Sequence, residues 1–66
     1  MRLKVNGEDR ELEPVATVGE LLGVLDIQRE RVAVMLNGDV LKRAELDNAK
    51  LNDGDIVEII TMVGGG

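Results

Sequence analysis

The 66-residue sequence contains no cysteine, no histidine and no phenylalanine, tyrosine or tryptophan. Each absence closes a route. Without cysteine there is no thiol nucleophile and no disulfide framework to hint at export. Without cysteine or histidine the usual zinc ligands are gone, and so is the commonest general base. Without aromatic rings there is no platform on which bases could stack. With 13 acidic against 8 basic side chains, a net charge of −5, the chain is also ill suited to a phosphate backbone, so no nucleic-acid partner is expected. Neither G-x-x-x-x-G-K-[ST] nor G-x-G-x-x-G occurs, so the chain has no phosphate-binding loop of its own. No apolar run matches a signal peptide or a membrane helix; no membrane partner is expected, and the cytoplasm is the expected location.

Length sets a second bound. A chain of this size is one domain and buries only about 60% of the surface that its unfolded form exposes. Its net stability should be about 3–10 kcal/mol. A deep pocket lined with catalytic groups is hard to support on that scale. The expectation is a protein that binds, or is acted upon, rather than an enzyme, with no bound cofactor or metal and a monomeric free state. Its acidity serves solubility and would steer it toward a basic face on a partner.

What is present is patterned. "RLKVN" (residues 2–6) alternates as a half-buried strand does, and Asn6-Gly7 is a hairpin signal because both turn residues need positive φ. The return strand, about residues 8–13, is acidic and reads as an edge strand anchored by Leu12. Thr17 followed by Glu20 forms a capping-box pattern, with Ala16 and Leu21 at the positions of a hydrophobic staple. Val18, Leu21, Leu22 and Leu25 make one apolar stripe, so the spacing predicts a helix ending near Asp26. Gly19 and Gly23 weaken that helix by about 1 kcal/mol each, so it needs a sheet to lie on. "RVAVMLN" (31–37) is β-rich, Asn37-Gly38 gives a second hairpin signal, and a strand follows at about 39–43. Leu46 and Leu51 are anchors in a polar connection. Asn52-Asp53-Gly54-Asp55 reads as a turn, since it lacks the ligand spacing of an EF-hand. "IVEIITMV" (56–63) is the last strand. The order implies an α+β domain: a mixed sheet of four to five strands with one helix across one face and the other face open. Residues 1–62 form the body and 63–66 a flexible tail.

Period-two bookkeeping assigns the faces. Val57 and Ile59 look inward; Ile56, Glu58, Ile60 and Met62 look outward. In the 31–37 strand, Val32, Val34 and Leu36 look inward, leaving Met35 on the open side. Met35, Ile60 and Met62 are therefore expected to form an exposed docking patch, for which adaptable methionine is well suited.

The chain closes on "VGGG". Glycines pack nothing and cost the most entropy to order, so Gly64, Gly65 and Gly66 do not serve the fold. The Gly66 carboxylate ionises near pH 3.5 and is a poor electrophile unless activated, for example as a mixed anhydride with AMP. Such an anhydride needs protection from water in a narrow tunnel of another protein. Three extended residues without side chains reach about 10 Å into one.

The ordered set "VNGEDREL", "ATVGELL", "RVAVMLNGDVLKR", "DGDIVEII" and "VGGG" resembles the thiamine-biosynthesis sulfur carriers, a family with the β-grasp, ubiquitin-like fold. The resemblance covers essentially the whole chain. It implies a cycle in which an E1-like adenylating enzyme spends ATP to adenylate the Gly66 carboxylate. A persulfide donor then supplies sulfur for a thiocarboxylate at Gly66, and thiazole synthase takes that sulfur into thiamine thiazole. Gly64 and Gly65 would thread the partner's active site. The missing cysteine fits, because a sulfur carrier without a thiol side chain must use its terminus. Three alternatives share parts of this reading. They are a molybdopterin-synthase small-subunit type of carrier, a ubiquitin-like protein modifier, and a plain binding module with an inert tail.

Overall fold

The computed structural model describes residues 1–62. The alternating start becomes β1 (Arg2–Val5), and Asn6-Gly7, with φ of 51° and 83°, turns the chain into β2 (Glu8–Glu11). The β2 strand is shorter than its expected span of 8–13. Leu12 still bonds across to Met1, its N–H 2.8 Å from the Met1 carbonyl, but Pro14 has no N–H and cannot continue a ladder.

Helix α1 (Val18–Val24) starts where the cap predicts: the Glu20 N–H donates to Thr17 Oγ1 at 3.2 Å. The return bond of a capping box, from Thr17 N–H to the Glu20 carboxylate, does not form. The helix stops sooner than expected because Asp26 takes φ = 58°. The Asp26 N–H then reaches the Gly23 carbonyl (3.1 Å) and the Ile27 N–H reaches that of Leu22 (2.9 Å), the bonding of a Schellman stop. Two one-turn 3₁₀ segments, Arg29–Arg31 and Arg43–Glu45, were not anticipated. The second ends β4 (Asp39–Leu41) before residue 43, with the Lys42 N–H donating to Glu45 Oε1 at 2.6 Å. Between the 3₁₀ segments run β3 (Val32–Leu36), the turn Asn37-Gly38 and β4. The last strand, β5, spans Ile56–Thr61. Met62 adds one more bond, its N–H 2.8 Å from the Arg31 carbonyl; Val63 lies outside the described residues.

The five strands form one mixed sheet in the order β2-β1-β5-β3-β4. The β5 strand is therefore central, parallel to β1 (Lys4↔Ile56, Val5↔Val57) and antiparallel to β3 (Val32↔Thr61 through Leu36↔Val57). Helix α1 covers one face. Leu3, Val18, Leu21, Leu22, Val34 and Val57 are fully buried there, joined by Leu46 and Leu51 from the connection, as expected, and by Val15. The start of α1 is stitched to that connection: Val18 N–H to the Ala49 carbonyl and Gly19 N–H to the Leu46 carbonyl, both 2.9 Å. Among the described residues no helix is long and apolar enough to cross a membrane.

Candidate functional site

The β5 strand is gripped from both sides by the two asparagines that also make the turns. At Asn6 its N–H donates to the Val57 carbonyl (2.9 Å), while its Oδ1 accepts from the Ile59 N–H at 2.7 Å. At Asn37 the N–H donates to the Ile56 carbonyl (2.8 Å) and Oδ1 accepts from the Ile56 N–H at 2.9 Å. A positive φ turns each chain away from the ladder, and the amide side chain supplies the rung that the backbone then lacks. The Asp55 carboxylate closes the neighbouring turn, accepting from Asn37 Nδ2 (3.1 Å) and from the Asn52 N–H (2.8 Å).

A strand held this way presents fixed faces. Inward, Val57 is 0% and Ile59 9% exposed; outward, Ile56 is 47%, Ile60 50% and Met62 48% exposed. Ile60 and Met62 are therefore exposed, as expected from the alternation. Met35 shares the outer face but is half-buried rather than exposed. It sits opposite both Glu58 and Val40, diagonal to Ile60, where cross-strand neighbours cover it. Val40 and Ile56, neither singled out as a docking residue, extend the exposed apolar surface. The signal for Ile56 was the same alternation that exposed Ile60.

Charge borders the apolar part of the outer face: Lys4 lies beside Ile56, Glu58 beside Met35, and Arg31 opposite Met62. Among the described residues no group of three or more acidic side chains is placed to hold a metal ion. The face offers a surface for contact. Gly64, Gly65 and Gly66, expected to thread a partner and carry the reactive group, lie outside the described residues.

Beside Met62, where β4 has ended and the edge of β3 is uncovered, a cavity of about 290 Å³ opens. Arg29, Arg43, Leu41, Leu46 and Met62 contribute to its walls. Arg29 is tied to Asp47 by two 3.0 Å hydrogen bonds, which hold the Asp47 carboxyl below the usual carboxylate range and the guanidinium above its own. Sequence spacing gave no hint of this arrangement, because the 3₁₀ segments bring the two arginines together.

A model of the ThiS family matches residues 3–66. The sulfur carrier protein ThiS of Thermus thermophilus is 37% identical over 62 residues, which cover 94% of this chain and 95% of that protein. A thiazole synthase of Paramagnetospirillum magneticum is 38% identical over 66 residues, all of this chain but only 20% of that protein. The crystal structure of the thiamine biosynthesis protein ThiS from Geobacter metallireducens superposes with a TM-score of 0.86 at 42% identity, covering 100% of both chains.

Proposed function

The chain belongs to the ThiS family, and from that premise we propose how it works as a sulfur carrier for thiamine biosynthesis. The Gly66 carboxylate attacks the α-phosphorus of ATP in an adenylating partner and displaces pyrophosphate. A persulfide attacks the resulting acyl adenylate and expels AMP, forming an acyl persulfide. A thiol then cleaves the S–S bond, leaving a thiocarboxylate on Gly66 and a disulfide on the donor. Thiazole synthase is the acceptor enzyme. The chain itself supplies no acid, base or bound cofactor to these steps. It supplies a reachable terminus and a body to be gripped.

The observation that carries this reading is the family match running through residue 66, on a body whose central strand is its last described element. A strand bonded on both sides is the stiffest origin that a small sheet can give a tail. A partner that seats Ile60 and Met62, with Met35 beneath, thereby fixes where the tail begins. Glycines at 64 and 65 let the remaining chain enter a pocket too narrow for side chains. A thiazole synthase that contains a stretch 38% identical to this whole chain supports the choice of acceptor.

The test is an intact mass after incubation with the cognate adenylating enzyme, ATP and a persulfide donor. Exchange of one oxygen for sulfur at Gly66 is expected, followed by loss of that sulfur to thiazole synthase. Laddered conjugates would make the chain a protein modifier, and an unchanged mass an inert module. Gly64→Val with Gly65→Val should abolish activation while leaving the urea midpoint unmoved. Normal sulfur transfer by that variant overturns the proposal.

A further inference from the structure

The net charge of −5 hides a polarity. Residues 28–43 hold four of the eight basic side chains and two of the thirteen acidic ones, a net +2, leaving −7 for the rest. The topology delivers this basic segment to one place. The Arg31 carbonyl accepts the Met62 N–H at 2.8 Å, so Arg31 stands opposite the last described residue. Arg43 lines the cavity beside Met62, its Nη2 3.4 Å from the Glu30 carbonyl. Among the described residues the ion pairs are Met1–Glu11, Arg2–Glu11 and Arg29–Asp47, and neither Arg31 nor Arg43 belongs to one. The cavity also has an apolar floor from Leu41 and Leu46, and it is uncovered because β4 stops at Leu41.

We propose that this basic, apolar-floored cavity beside Met62 seats an acidic segment of the adenylating partner. A carboxylate would pair with Arg43 in the cavity wall, with a neighbouring apolar side chain on the Leu41–Leu46 floor, and Arg31, opposite Met62, would add to the positive field of this end. The occupant is chosen by charge complementarity. Against the net −7 of the rest of the chain, two guanidinium groups that join none of the ion pairs among the described residues stand near Met62. A partner with acidic residues around its entrance is attracted to this end and repelled from the other, so charge orients the encounter before any short-range contact forms. At this end the proposal reverses the expectation of a basic partner face, which rested on net charge alone. The identity of the partner rests on the proposed function; the acidic chemistry of the occupant does not.

Two measurements on the full chain test it. In the first, adenylation kinetics with the cognate enzyme are compared for the wild type, Arg31→Glu, Arg43→Glu and the distant control Arg10→Glu, at low and high salt. Each reversal at 31 or 43 should raise KM roughly tenfold with kcat little changed, the effect shrinking as salt screens it, and Arg10→Glu should be near wild type. In the second, ¹⁵N-labelled chain is titrated with a blocked Glu-Leu-Glu-Leu peptide. Amide shifts should concentrate at Arg31, Arg43 and Met62 and vanish in the Arg43→Glu chain, whose unchanged remaining spectrum reports an intact fold. Localised peptide shifts without any adenylation of the wild type would sink the sulfur-carrier mechanism and keep the basic site. Adenylation indifferent to both reversals and to salt, or peptide shifts spread over all cations, overturns the site and leaves the mechanism standing.

Discussion

The two faces of β5 differ by one step along the strand and by what they touch. Val57 and Ile59 lie under α1, among Leu3, Leu21 and Leu22, while Ile56, Ile60 and Met62 lie on a surface that no element among the described residues covers. Both faces are apolar. At about 25 cal/mol per Å² of apolar surface removed from water, leaving three large side chains in solvent forgoes stability that a domain of this size could use. Natural surfaces do carry scattered apolar residues, but these three repeat on one face of the central strand. The inner face serves folding; in the proposed function the outer face keeps its apolar surface for a partner.

The sharpest way to break that comparison is to place the same charge on each face. Val57→Asp puts a carboxylate where the side chain is fully buried and no cation is at hand. Its cost, about 4 kcal/mol or more, is a large part of the whole stability, so urea titration followed by circular dichroism should find the chain largely unfolded. Ile60→Asp should shift the urea midpoint by no more than about 0.5 kcal/mol equivalent, yet weaken capture by the adenylating partner. Equal stability losses for the two variants would show that the outer face is also structural.

This division was legible beforehand because period two leaves no freedom: once Glu58 faces out, Ile60 and Met62 must follow. The Asn-Gly turns, the start of α1 at Thr17 and the anchors Leu46 and Leu51 were legible for similarly local reasons. The central position of β5 was not. Its parallel pairing with β1 joins residues some fifty positions apart, and alternation does not name a neighbour. The half-burial of Met35 depends on that same lateral order. The arginines around Met62 were invisible for another reason, since one-turn 3₁₀ segments leave no periodicity to read.

A smaller effect tests why β5 can hold its faces at all. Asn6→Ala removes the acceptor of the partly buried Ile59 N–H and places alanine at φ = 51°. The two losses together should cost about 2–3 kcal/mol. Asn37→Ala meets the same backbone strain but frees only an exposed N–H, so about 1–2 kcal/mol is expected. Hydrogen exchange at Ile59 should accelerate selectively in the Asn6 variant. If it does not, the side-chain rung contributes nothing to the strand.

The helix that covers the inner face offers a gain. A Cβ at Gly23 would meet nothing within 4 Å, so Gly23→Ala should stabilise by about 0.5–1 kcal/mol. At Gly19 a Cβ would collide with the Asp47 carboxylate, which must then swing away from Arg29. The same substitution there should gain less or nothing. Thermal midpoints of the two variants read this difference directly, and equal gains would mean that Asp47 yields freely.

That pair supplies the smallest effect. Its hydrogen bonds to Arg29 lower the Asp47 carboxyl below its ordinary range near pH 4. A depressed carboxyl contributes stability that is fully present above the unfolded-state value and lost as pH falls through the folded-state value. The raised Arg29 group works in the opposite sense, its contribution present at all lower pH and lost only beyond the alkaline range that the chain would meet. The whole pH dependence of the pair therefore falls on the acid side. Asp47 is 70% exposed, so water screens the interaction and its share of stability is slight. The melting temperature of the wild type minus that of Asp47→Asn should be small and constant above about pH 5, and shrink toward zero as pH is lowered past 4. A difference that grows on acidification would mean that the carboxylate is a burden at the cavity rim rather than a tether for Arg29. Arg29 would then be held beside Met62 by packing against the covered face instead of by its ion pair.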